Sequence, residues 1–432
     1  MNRTRLVSAA LALAAALGWA RAAAAQVCPA TPPPCDTGAD IVNPVYILAA
    51  DTQVPALHAL GKILRAQASP ITIVYIPNGS CTNLANLYAS PAKFTAGTAG
   101  GPFYVPSSAA FDPTVKTACA CALPAGGIAP GMAISIVFPD NVDCPTAPAK
   151  PANIGVTSGP VQGMTFVVPY DTATSAGSSQ KAITFEEAYL VFGLGPAAAS
   201  VAPWSDPAFI FGRPASKGTQ ISIGSNIQVP AAKWKLLADT NHQIDQSSTM
   251  AATIAALATD PNAEKALGIL GVEIYDKAAN RAKMHALAFR AQHQEHAFWP
   301  DSSPTAFDKI NIRDGHYVLW SYVQYLAPQN AGTGKAANPN AQTIIDLFAD
   351  NPVTTNPVFE PLDTVIKSGL VPKCAMKVQR ASEGGDLMLY DDAAPCGCYF
   401  DATVPSGTTS CTSCASTACA TGTCRHGYCE AK

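Results

Sequence analysis

The sequence predicts an α/β protein built as two lobes, with a disulfide-rich C-terminal tail. Three observations carry that prediction. From Asn43 onward, short apolar strands alternate with stretches of helical periodicity, the order of a layered α/β domain. The 14 cysteines fall into two even groups, one toward each end of the chain. Once an N-terminal leader is set aside, roughly 400 residues remain, enough for two lobes with cores of their own and a small appendage.

The leader is read from charge and hydropathy. Arg3 and Arg5 precede an apolar run over residues 6–19, and Ala23, Ala24 and Ala25 form a small-residue cleavage site before Gln26. Residues 1–25 therefore read as a secretory signal peptide. Ala25, Gln26 and Val27, the residues before Cys28, lack the small residue that a lipoprotein signal places next to its cysteine. Cleavage removes Arg3, Arg5 and Arg21 and no acid, so the formal charge moves from −3 to about −6. That balance, with no basic face, excludes a nucleic-acid partner. No later segment reaches the roughly 18 uninterrupted apolar residues of a membrane span. The expected location is extracytoplasmic, in the periplasm or at the cell surface, and the expected state is a monomer.

The elements follow in order. Residues 45–49 read as a strand, 55–68 as a helix, 71–76 as a strand and 82–88 as a helix. A Gly-, Pro- and Ala-rich insertion leads to strands at 132–138 and 164–168, the second bounded by Pro169. An amphipathic helix over 185–192 takes Thr184 as its N-cap and stops at Gly193 and Gly195. Helical patterns recur at 231–237 and 248–258, strands at 268–275 and 286–290, and an aromatic apolar segment at 317–326. A low-complexity linker, 328–340, precedes a helix at 341–349.

Cys28, Cys35, Cys81, Cys119, Cys121 and Cys144 form the first cysteine group. Cys374, Cys396, Cys398, Cys411, Cys414, Cys419, Cys424 and Cys429 form the second. In an exported chain whose histidines are not interleaved with the cysteines at zinc-finger spacing these are disulfides, three expected within the first group and four within the second. Residues 396–432 hold almost no aliphatic side chains. The fold of the tail is expected to rest on cross-links worth roughly 2–4 kcal/mol each.

Residues 183–220 carry the strongest functional signal. Behind the helix come a tryptophan loop around Trp204, a short apolar run at 208–211, and then Arg213, Ser216, Gly218 and Thr219. One guanidinium, two hydroxyls and a flexible backbone can converge there on a small oxyanion. Bland readings apply elsewhere. Beside Glu295, the two histidines His293 and His296 are three apart with no third ligand nearby and read as solvated, Glu186 and Glu187 read as a solvated helix face, and Trp204, Trp320, Tyr317 and Tyr322 read as packing. No catalytic, cofactor or metal constellation is recognisable.

Over about residues 45–326 the chain resembles the type 2 periplasmic substrate-binding proteins, in particular the phosphate-binding component of phosphate ABC transporters. LAADTQVPALHALGKIL resembles that family's first strand-to-helix loop. VYIPNGSCTNLANLY resembles its second strand and anion-facing helix start, which places Gly79, Ser80 and Thr82 at a ligand. SIVFPDNVDCP resembles a strand ending in a ligand-facing acid, Asp140 or Asp143. FGRPASKGTQ resembles the anion loop, with Arg213, Gly218 and Thr219 in the contact positions. The resemblance implies a two-lobed substrate-binding domain over 26–340, with lobe 1 at about 40–160 and 276–327 and lobe 2 at about 161–275. A C-terminal extension at 341–385 and a cysteine-rich module at 386–432 follow.

What the resemblance implies functionally is capture of a small anionic ligand such as phosphate, with an ABC transporter permease as partner. Four positions depart from the pattern. Ala215 replaces the loop's acid, Lys217 replaces a serine, and Asp51 and Gln53 replace small residues in the first loop. An inward-pointing Asp51 would repel a dianion. Two other readings stand beside the first: a surface or interaction protein that keeps the fold without a small ligand, and a secreted hydrolase on the same scaffold.

Overall fold

The computed structural model describes residues 27–97, 100–115, 118–139, 144, 147–238, 242–405, 407–415 and 418–431. The expected signal peptide, residues 1–25, lies outside the described residues, as do Asp140 and Asp143. Strand β1 (Pro44–Ala50), helix α1 (Val54–Arg65) and strand β2 (Thr72–Asn78) form a β–α–β unit whose strands pair in parallel, Pro44 opposite Thr72 and Ala50 opposite Asn78. Every residue of β2 is buried, as a strand covered on both faces requires. Helix α1 buries Leu57, Leu60 and Leu64 in the core, the i, i+3, i+7 stripe of a one-sided helix. Helix α2 (Ser80–Tyr88) leads to the edge strands β3 (Phe103–Tyr104) and β4 (Cys119–Ala120), and β5 (Met132–Ser135) returns to lie parallel to β1.

The organising strand is β6 (Ile154–Asp171), 18 residues long. Its first part pairs antiparallel with β12 (Trp320–Pro328); its second part pairs with β9 (Gly268–Gly271) and β10 (Met284–Ala286). The sheet therefore runs β10-β6-β12-β5-β1-β2-β3-β4, with β9 and the short β7 (Ala176–Gly177) also on β6. One strand is thus shared by the two halves of the sheet. The sequence reading begins this strand ten residues late because Gly159 and Pro160 look like breakers. They sit where the register with β12 shifts between Tyr322 and Gln324. Such a bulge leaves room for a residue without an N–H.

Other expectations shift in type rather than place. Residues 268–275 divide into strand β9 and a helical turn, Val272–Tyr275, and 231–237 forms two 3-10 turns, Ala231–Lys233 and Lys235–Ala238. Thr184 does cap its helix: it follows β8 (Ala182–Thr184), a strand parallel to β11 (Ala288–Arg290), and closes a capping box with Glu187 at the start of α3 (Phe185–Tyr189). Helices α4 (Gly218–Asn226) and α5 (Ser247–Ala256) complete the second half. Trp204, Trp320, Tyr317 and Tyr322 are all buried packing residues, and His293 and His296 are exposed.

All seven disulfides join cysteines of the same group. The first group pairs Cys28–Cys119, Cys35–Cys121 and Cys81–Cys144. The second pairs Cys374–Cys396, Cys398–Cys411, Cys414–Cys424 and Cys419–Cys429. The tail is not held by cross-links alone, however. Phe400, Val404 and Cys396 are buried in the main hydrophobic core, and the Arg313 guanidinium lies 4.8 Å over the Phe400 ring and pairs with Asp401. The tail depends on packing that a count of its aliphatic residues does not reveal.

The core of the second half centres on Phe166, fully buried, stacked on Phe192 at 5.8 Å and against Phe289 at 5.9 Å. Phe166→Ala is expected to cost about 3–5 kcal/mol of unfolding free energy, read from denaturant titration.

Candidate functional site

Three parallel strands end on the same side. Asp51 follows β1 directly, Gly79 follows β2, and Ile136 follows β5. Loops at the carboxyl ends of parallel strands are where open α/β sheets collect ligands. Across from them lies the segment from Arg213 to Thr219, which runs into α4. The two sides touch where the Cys81 backbone N–H donates to the Ser216 carbonyl at 3.1 Å, and within the first side the Ser80 Oγ accepts the Ile136 N–H at 3.0 Å. Gly79 and Gly218 make this approach possible, since a Cβ on the first would run into the Ser216 carbonyl and on the second into Ile136 and Ser80. The starts of α2 and α4 are thereby brought together, with Ser80 and Thr219 buried and Thr82 half-buried in the first turn of α2.

The positive charge of the site is Arg213, completely buried. Its Nη2 donates to Asp51 Oδ2 at 2.9 Å and to the Asp245 carbonyl at 2.6 Å, and its Nη1 donates to Ser247 Oγ at 2.7 Å. Its backbone N–H donates to Gln220 Oε1 at 2.7 Å, which fixes the loop to the first turn of α4. Asp51 Oδ2 also accepts the Ser247 N–H at 3.1 Å and the Ser247 hydroxyl at 2.8 Å. One carboxylate oxygen of this chain thus collects an arginine, a helix-start N–H and a hydroxyl, the donor set that an oxyanion site assembles.

Burial alone would raise the Asp51 carboxyl; Arg213, Lys217 and the two Ser247 donors outweigh it and hold the group at about 2. Lys217, also buried, pairs with Asp245 at 3.0 Å. Against the burial of Asp245, Lys217 and Gln246 pull that carboxyl down as well. Each cation of the 213–219 segment therefore has a carboxylate of its own. A cavity of about 160 Å³ adjoins Asp51, and Val54, His58, Ser247, Ser248 and Lys277 are among the residues that line it.

Of the residues singled out from sequence, Gly79, Ser80, Gly218 and Thr219 meet at the junction of α2 and α4, and Arg213 stands in the same loop as the last two. Asp140 lies outside the described residues. Asp51 points inward, onto Arg213. Sequence reasoning did not select Ser247, Asp245 or Gln220. Gln220 ends the quoted loop, and Ser247 stands at the start of a helical pattern, so both carried a weak signal; Asp245 is brought in only by the fold.

The buried pair makes two predictions. Asp51→Ala should cost about 3–5 kcal/mol, read by denaturant unfolding at neutral pH, because Arg213 stays buried without its counter-charge. The second concerns acid. A carboxyl lowered from 3.8 to about 2 contributes stability that is complete above the unfolded value and is lost as pH falls through about 2. The stability difference between the parent and Asp51→Asn should therefore shrink by about 2 kcal/mol between pH 5 and pH 2.

No protein-family model matches the chain, and no curated protein matches it. Solved structures do. A phosphate ABC transporter substrate-binding protein from Clostridium perfringens, with bound phosphate, is 11% identical, with a TM-score of 0.47 over 76% of this chain and 99% of that one. An ABC-type phosphate transport receptor from Vibrio cholerae is 12% identical, with a TM-score of 0.42 over 76% of this chain and 99% of that one. The regulatory domain of OxyR from Pseudomonas aeruginosa is 10% identical, with a TM-score of 0.35 over 70% of this chain and 94% of that one.

Proposed function

We propose that this is an exported, two-lobed solute-binding protein, not an enzyme, whose interlobe site is built for a small oxyanion and is held by the Asp51 carboxylate when no such ligand is bound. One observation carries the reading: Asp51 Oδ2 receives Arg213, the Ser247 N–H and the Ser247 hydroxyl together. A phosphate-like anion presents the same acceptor chemistry, so ligand and side chain compete for one set of donors. The 160 Å³ cavity beside Asp51 offers the displaced carboxylate a place to turn. Competition lowers the apparent affinity by the fraction of molecules in which Asp51 has left its partner. Export rests on the leader pattern of residues 1–25 and on seven disulfides, and an ABC transporter permease is the partner such a protein would serve.

A second reading is favoured by the full internal pairing of the loop. Arg213 has Asp51, Lys217 has Asp245, and Ala215 stands where an acceptor for a protonated phosphate oxygen would be. On that reading the site is a structural tie, and the protein acts through its surface.

Isothermal titration of the mature protein with phosphate, sulfate, molybdate and small carboxylates separates the two. The expected result is binding by the parent, at least tenfold tighter binding by Asp51→Asn, and no binding by Arg213→Ala. Silence of both the parent and Asp51→Asn across the panel, with circular dichroism intact, would overturn the first reading and leave the second.

A further inference from the structure

The C-terminal extension makes contacts that neither the anion site nor the tail requires. Past helix α6 (Pro339–Phe348) and helix α7 (Pro361–Lys367), Val371 exchanges two backbone hydrogen bonds with Val161 of the shared strand β6, at 2.7 and 2.9 Å. Arg380 is buried over the Trp320 ring at 4.0 Å and donates to the Trp320 and Val318 carbonyls at 3.1 and 2.9 Å. Three residues on, Glu383 Oε2 accepts the Ser321 hydroxyl of β12 at 2.8 Å. Gly384, at φ 61°, lies so close to Ser225 of α4 that a Cβ would clash with it. The segment thus touches β12 in one half of the sheet and α4 in the other.

We propose that residues 380–385 form a latch that pins helix α4 to strand β12, with Glu383 as its bolt. The latch stands whether or not an anion enters beneath it. α4 is the helix whose first turn holds Gly218 and Thr219, and β12 is bonded to β5, whose following loop reaches Ile136 and Phe138. A strap joining α4 to β12 therefore resists separation of the two sides of the site. Gly384 is suited to the crossing because a left-handed turn in close contact with Ser225 tolerates no side chain.

The bolt is sensitive to pH. Burial raises the Glu383 carboxyl to about 7, against the opposing influence of Ser321, Arg380, Ser222 and the Phe138 N–H. Arg380 is the charged group facing it, from its own segment, with Tyr322 beside Arg380; β12, α4 and the loop after β5 contribute the uncharged Ser321, Ser222 and Phe138 N–H. A carboxyl raised in the docked state favours docking in acid, and that advantage declines as pH climbs from the ordinary value toward 7.

Hydrogen exchange followed by mass spectrometry on the full mature chain tests the latch, in peptides spanning 132–139 and 218–227 and after correction for intrinsic rates. Glu383→Ala is expected to raise exchange at least tenfold in both peptides while leaving the peptides of β1 and β2 unchanged, which distinguishes opening from unfolding. Parent exchange should rise from pH 5 to pH 8. Glu383→Gln, which copies the protonated side chain, should stay protected at both. Unchanged protection in the alanine variant, or exchange in the glutamine variant as fast as in alanine, would overturn the proposal. So would parent protection that does not vary with pH.

Discussion

A buried guanidinium with a carboxylate supplied from across the molecule is the constraint around which the rest is arranged. Arg213 has no exposed surface, and a charge taken out of water must be met by partners of good geometry or it destabilises the fold by several kcal/mol. Asp51 meets it from the end of β1, 162 residues away in sequence, so the pair also ties the loop after β1 to the loop that opens α4. Gln220 holds the arginine's backbone, Ser247 bonds both members of the pair, and Lys217 with Asp245 forms a second pair nearby. Glycines at 79 and 218 let the loops approach closely enough for these bonds to form.

This arrangement explains why one set of residues suits two functional descriptions. An oxyanion site and a buried salt bridge need the same donors; they differ in whether the acceptor arrives by diffusion or is tethered to the chain. Tethering raises the effective concentration of the internal acceptor, so a free ligand has to overcome that advantage as well as its own desolvation.

Much of the fold was legible in the sequence, and what was not has a physical cause. The β–α–β unit from Pro44 to Asn78 was legible because its strands are continuous apolar runs and its helix carries a leucine stripe. Thr184 announced its helix by local chemistry alone, whereas Glu187, which reads as part of a solvated face, closes the capping box. The evenness of the two cysteine groups foretold pairing within each. The first part of β6 was hidden because Gly159 and Pro160 resemble a turn unless the bulge opposite Tyr322 is known. Asp51 was visible as a departure from a resemblance, but its partner could be assigned only when folding placed β1 beside the loop of Arg213. Glu383 carried no signal, since Ser-Glu-Gly-Gly reads as a linker in any chain.

The placement of the disulfides also decides what a protease can do to this molecule. The bridges Cys28–Cys119, Cys35–Cys121 and Cys81–Cys144 overlap along the chain, so a cut anywhere between Cys28 and Cys144 leaves both fragments covalently joined. Between Cys144 and Cys374 the sequence has no cysteine, and one cut there divides the molecule into pieces held only by packing. The shared strand β6, the loop of Arg213 and strand β12 all lie in that uncrosslinked stretch. Arg213 and Ser247 are therefore guarded against digestion by burial alone, while Asp51, Gly79 and Ser80, on the other side of the site, lie in the stretch guarded by sulfur.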